Sequence, residues 1–189
     1  DTQPHRKRVK HVDEAGHVHE LTFSCYQRRP LLRSDTWKAW LGESIERATG
    51  RHEFALVAFV FMPEHVHLLV YPRSDDARIS RLLYATKRPF SFRVRQCLER
   101  TGHPLLSELT IRERPERRAF RFWQEGGGYD RNLLSPNTVR QAVDYLHNNP
   151  IRRELCTGAG EWKWSSWGYY HEPEGCPRPD LPRVHGLPW

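Results

Sequence analysis

Apolar positions along the 189-residue chain change their spacing from segment to segment, and each spacing predicts an element. His19–Tyr26 (HELTFSCY) alternates as a strand does. Asp35 reads as the N-cap of a helix reaching about Arg47, with Trp37, Trp40, Leu41 and Ile45 on one stripe. Phe54–Phe61 (FALVAFVF) is apolar throughout, the pattern of a central strand covered on both faces. Met62-Pro63-Glu64 breaks that run, and His65–Tyr71 (HVHLLVY) follows as its hairpin partner. A second helix begins near Ile79 with Leu82 and Leu83 inward, and Pro89 is expected to end or kink it near Arg88. Residues 100–118 are polar and arginine-rich and read as a loop, while Ala119–Gln124 and Tyr129–Leu133 read as short strands flanking Gly126-Gly127-Gly128. Ser135-Pro136 opens a further helix, with Val139, Ala142, Val143 and Leu146 as its apolar stripe, that stops before Pro150. The aromatic segment Glu161–Tyr170 is expected to pack on the domain. The proline-rich residues 173–189 are expected to form an extended tail.

One compact domain fits this length, so the chain divides into a basic arm (1–14), a folded body (15–172) and the tail (173–189). Lys and Arg outnumber Asp and Glu by 30 to 23, and the excess of +7 favours a polyanionic partner. Its distribution is more telling: Arg6, Lys7, Arg8 and Lys10 cluster in the arm, and Arg112, Arg114, Arg117, Arg118 and Arg121 form a second group. Either cluster alone reads equally well as solvated surface charge. Cys25, Cys97, Cys156 and Cys176 are far apart, which argues against a zinc knuckle, a redox pair or a disulfide framework. No apolar stretch has the length of a membrane span and the N-terminal residues lack a signal peptide's apolar region, so a cytoplasmic protein is expected. The only methionine is Met62, which implies that a native start has been trimmed.

His65 and His67, two apart on a strand, point the same way and could share one divalent ion. A second such pair, His17 and His19, opens the first strand, and the pattern alone reads equally as ligands or as satisfied core histidines. On the helix from Pro136, Tyr145 lies on the flank of the apolar stripe, with Asn149 one turn on. A phenol titrates near about 10, so a tyrosine nucleophile needs a cation or metal beside it. Spacing alone favours ordinary packing for Tyr145.

Three segments together go further: Met62-Pro63-Glu64-His65-Val66-His67, Val143-Asp144-Tyr145-Leu146-His147-Asn148-Asn149-Pro150, and Trp162-Lys163-Trp164-Ser165-Ser166. In this order they closely resemble the IS200-type Y1 transposases of the HUH class, and most of all the REP-associated tyrosine transposases. The resemblance runs from about residue 15 to 170. It implies an α+β fold, a ferredoxin-like antiparallel sheet with helices packed on it. It also implies that His65 and His67 hold Mg²⁺ or Mn²⁺, that Asn149 supplies a third ligand, and that Tyr145 attacks the scissile phosphate. The activity implied is single-stranded DNA cleavage and strand transfer at hairpin-forming repeats through a 5′-phosphotyrosine, by a monomer or a homodimer. Lys87, Arg88, Arg112, Arg121, Arg152 and Arg153 are candidate phosphate contacts, with Trp123 and Tyr129 as possible stacking platforms. Competing readings are a DNA-binding regulator that has kept the fold without cleavage and, ranked lowest, an HUH replication initiator or relaxase.

Overall fold

The computed structural model describes residues 16–173 and 178–189, so the basic arm with Arg6, Lys7, Arg8 and Lys10 lies outside the described residues. Strands β1 (Val18–Ser24), β2 (Phe54–Phe61), β3 (His65–Pro72) and β6 (Tyr129–Leu133) form one antiparallel sheet in the order β2-β3-β1-β6. Helix α1 (Asp35–Arg51) connects β1 to β2, and α2 (Ile79–Thr101) follows β3. That order and connectivity are the ferredoxin-like arrangement.

Strand pleating gives the sheet two working faces. Leu21, Phe23, Phe59, Val66, Leu68 and Val70 pack against Leu41 and Ile45 of α1 and Phe90 and Val94 of α2. The opposite face carries Val18, Val60 and Leu69 and is covered by Val139, Ala142, Val143 and Leu146 of α4 (Pro136–His147). His65 and His67 share that second face with Leu69, being of the same parity on β3. The fold therefore lays α4 across the histidine strand.

Several elements differ from expectation. The N-cap of α1 is Ser34, whose hydroxyl accepts from the Trp37 N–H, and Asp35 instead occupies the first turn, where a carboxylate favours the positive helix end. β2 is an edge strand, not a central one. Its continuous apolar run is explained because both faces are buried and its outer edge is also covered: the Phe61 N–H donates to Trp164 O, Ser166 N–H to Phe59 O, and His185 N–H to Leu56 O. Pro89 does not end α2, which runs through it to Thr101; the proline sits on the exposed side, where water can serve the carbonyl that loses its donor, while Phe90 points inward. Residues 100–118 are not one loop but hold the end of α2, α3 (Leu105–Leu109), β4 (Thr110–Arg114) and the start of β5 (Arg117–Phe120), with β4 and β5 paired as a separate hairpin. The strand expected to reach Gln124 stops at Phe120, because Phe122 and Trp123 turn into the core against Phe90. The tail residues Leu181, Val184 and Leu187 pack on the body rather than standing free.

Candidate active site

The chemistry gathers where β3, β1 and α4 meet. The Nε2 atoms of His65 and His67 face each other at 2.9 Å. His65 Nδ1 lies 3.1 Å from the Glu64 carboxylate, which only accepts, so that nitrogen carries the proton. His67 Nδ1 is 2.8 Å from Thr22 Oγ1, on the neighbouring strand and directly opposite in register. With Thr22 accepting, both histidines present Nε2 lone pairs to one point. Burial holds both imidazoles below their ordinary pKa, His67 down to about 3 with His65 adding to the effect, so both are neutral at physiological pH. Glu64 also receives Arg153 at 2.6 Å, which neutralises its charge.

Asn149 is buried, and its side-chain amide lies 3.4 Å from His67 Nε2. A half-turn of the amide would aim Oδ1 at the same point. These residues fit a divalent ion. Two ligands at a right angle about an ion with bonds of about 2.1 Å stand about 3.0 Å apart, close to the separation of the two nitrogens. Among the described residues no group of three or more His, Cys, Asp or Glu side chains is arranged to hold a metal ion, so a donor set here would be two imidazoles and an amide, completed by water or phosphate oxygens.

Tyr145 is 44% exposed and lines a cleft of about 490 Å³ with His67, Thr22, Glu20, Tyr129, Arg131, Thr138, Gln141 and Ala142. The Arg152 guanidinium lies 4.5 Å from the centre of its ring. α4 ends at His147, and the next residues stay near-helical into α5 (Asn149–Arg152), which keeps Asn149 one turn beyond Tyr145. His147 anchors this stretch. Its Nε2 is 2.8 Å from Ser166 Oγ, which also accepts the Phe59 N–H at 2.9 Å, so the buried Trp-Ser-Ser segment ties α4 to β2.

The other histidine pair has a different fate. His19 is buried and bonded to Asp130 at 3.1 Å, a satisfied core histidine on the far face of β1. Lys87, Arg88 and Arg121 come together around a second concavity of about 370 Å³ beside Tyr84, Trp123 and Gly126. Lys87 reaches over the Phe23 ring, and burial pushes its pKa down to about 8; Arg88 bonds Tyr84, and Arg121 pairs with Glu113. Arg112 is spent on the Pro115 carbonyl within its own hairpin. Trp123 belongs to the core, whereas Tyr129 is half exposed in the cleft. Gly128, with φ of 76°, brings the backbone so near Thr22 that a Cβ would overlap the Thr22 carbonyl oxygen, so the glycine run seats β6 beside the histidine-supporting strand. Thr22, Glu64, Glu20 and Arg131 were not singled out as site residues in the sequence; the adjacency of Glu64 to His65 could have pointed to it, but only pairing register shows the other three.

Residues 15–108 match the family model described as transposase, IS200 like. Through that region the chain belongs to the IS200-like transposase family. The match ends before α4, so Tyr145 and Asn149 lie beyond it. A solved REP-associated tyrosine transposase, bound to a REP hairpin, superposes with a TM-score of 0.63 at 20% identity, covering 93% of this chain and 91% of that one. The two proteins therefore share a fold over nearly the whole length of this chain. A putative transposase from Deinococcus radiodurans R1 is similar at 19% identity and a TM-score of 0.42, over 78% of this chain and 97% of that one. No curated protein sequence matches. Among the described residues, no helix of this IS200-like transposase is long and apolar enough to cross a membrane.

Proposed function

We propose that this transposase is a metal-dependent single-stranded DNA endonuclease and strand transferase that acts on hairpin-forming repeats through a 5′-phosphotyrosine. The observation that carries the reading is the pair of facing Nε2 atoms, 2.9 Å apart, with Asn149 beside them and Tyr145 in the adjoining cleft. His65, His67 and Asn149 would hold Mg²⁺ or Mn²⁺, which when bound supplies Lewis-acid polarisation of the scissile phosphate. Glu64 and Thr22 orient the two imidazoles. Tyr145 Oη forms a bond to phosphorus and loses its proton to solvent; the phosphorus–O3′ bond breaks and the departing 3′-oxygen takes up a proton. The phosphotyrosine keeps the diester's reactivity, so a second 3′-hydroxyl can reverse the step and join strands. Arg152, over the Tyr145 ring, adds positive charge where the phosphate must approach. Lys87, Arg88 and Arg121 supply a second basic surface for the DNA backbone. The solved relative bound to a hairpin supports the choice of substrate.

The test is incubation with hairpin-bearing single-stranded oligonucleotides, labelled at either end, with Mn²⁺ or with EDTA, resolved on a denaturing protein gel. A metal-dependent adduct carrying the label from the 3′ side of the cut is expected. Tyr145→Phe should abolish it and leave DNA affinity within about twofold, because only the hydroxyl is lost. An adduct that survives in Tyr145→Phe overturns the assignment; binding to several hairpins without any adduct supports a non-cleaving regulator instead.

A further inference from the structure

The cleft beside Tyr145 is not built to follow a phosphate backbone. Its lining carries one cation, Arg131, and one carboxylate, Glu20, the rest being neutral: Thr22, Tyr129, Thr138, Gln141 and Tyr145 among them. Glu20 is buried to 8% exposure on β1, with the same parity as Thr22, so it lies on the sheet face that α4 covers. Arg131 stands 2.7 Å from its Oε2, and that atom has the ion pair but no aligned hydrogen bond. From α4, Thr138, Gln141 and Tyr145 project into the same space at helical spacing. A buried carboxylate would repel a phosphate placed there, but it accepts well from an amino group on a base edge.

We propose that this cleft is a base-reading subsite, in which Glu20 accepts from the exocyclic amine of a nucleotide bordering the scissile phosphate. This rests on the reading of Tyr145 and the histidines as a DNA-cleaving centre. Cytosine and adenine carry such an amine; thymine and uracil offer a carbonyl oxygen there, which faces the carboxylate with like polarity. Tyr129, half exposed at the cleft's edge, provides a ring for the base to stack on. Arg131 holds Glu20 in place from one side and leaves half of its own surface for the adjoining phosphate. Glu20 therefore selects, and Arg131 attracts.

Equilibrium binding of fluorescein-labelled oligodeoxycytidylate and oligodeoxyuridylate decamers tests this without requiring cleavage. These probes differ on one base edge, where cytosine has the 4-amine beside a bare N3 and uracil a 4-carbonyl beside an N3–H. The wild-type protein should prefer the cytidylate by about tenfold, the discrimination of one base-edge contact. Glu20→Gln, nearly isosteric and able to present either end of its amide, should bring the two affinities within about twofold. Arg131→Lys, which leaves a cation beside Glu20, should keep the preference. Equal affinities in the wild type, or a preference unchanged by Glu20→Gln with the far-ultraviolet circular dichroism intact, overturns the proposal. A lost covalent adduct in the gel assay would instead overturn the cleavage reading, so the two failures are told apart.

Discussion

Replacing Ser166 by Ala would remove one oxygen that serves three partners. In the native protein that hydroxyl accepts from the Phe59 N–H at 2.9 Å, meets His147 Nε2 at 2.8 Å and lies 3.3 Å from Phe59 O as a donor. Phe59 is fully buried, and Ser166 and His147 are each only 2% exposed, so water cannot replace the lost oxygen without opening the core. A buried polar group left unsatisfied costs about 1–3 kcal/mol, and two are stranded here, the Phe59 N–H and His147 Nε2. Phe59 O still accepts from the Ser166 backbone N–H, so it adds little. The expected loss is about 3 kcal/mol, which at about 2–4 °C per kcal/mol for a domain of this size lowers Tm by about 6–12 °C. Thermal melts and urea titration measure it, with Ser107→Ala, at an exposed position of α3, as a control expected within about 0.5 kcal/mol. Because His147 stands two residues from both Tyr145 and Asn149, the same change should also loosen α4 and weaken Mn²⁺ binding. A loss below about 1 kcal/mol, or one no larger than the control's, would show that Ser166 does not anchor α4 to β2.

Three other outcomes are expected. Thr22→Val removes the partner of His67 Nδ1 and should weaken Mn²⁺ affinity by about 10–100-fold in calorimetry while the fold persists; unchanged affinity would refute a supporting role. Lys87, with its pKa pushed down to about 8 by burial, is a cation below that pH and neutral above it. Single-stranded DNA affinity should therefore fall, by about fivefold for one charge-assisted contact, as pH rises through 8, and Lys87→Arg should abolish that step. Thermal stability should move the opposite way, rising above pH 8, because the unfolded chain then binds the proton that the folded one releases. Gly128→Ala, strained at φ of 76° and colliding with the Thr22 carbonyl, should cost about 2 kcal/mol or more and shift the Thr22–His67 contact, read by denaturation and by metal affinity together.

Periodicity places the histidine strand, its hairpin partner and the helix of Tyr145 within a few residues of where they stand, because each buries a continuous apolar stripe. Tyr145 reads as a flank residue from the stripe of α4, and it is one. Local signals erred where tertiary contacts decide. FALVAFVF looks like a central strand because the sequence registers only that it is dry, and it cannot tell a neighbouring strand from Trp164–Ser166 laid along an edge. Pro89 looks like a helix stop because its cost depends on which side faces water. The arginines around 112–121 look like one cluster, yet the β4–β5 hairpin turns Arg112 onto its own turn and Arg121 onto Glu113. His17 and His19 carry the same pattern as His65 and His67, and only the strand partners separate them: Asp130 satisfies His19, while Thr22 and Glu64 aim the other pair at each other.

The chain's own order of residues determined the kind of protein this is, since the HVH strand, the Tyr145–Asn149 helical turn and the Trp-Ser-Ser segment are local patterns. Only the tertiary structure decided what surrounds them, from the Glu20–Arg131 pair to the Ser166 anchor. Those contacts join residues tens to more than a hundred positions apart. The reason is register: which side chains meet across strands and between a sheet and its helix depends on pairing, and pairing is a property of the whole fold.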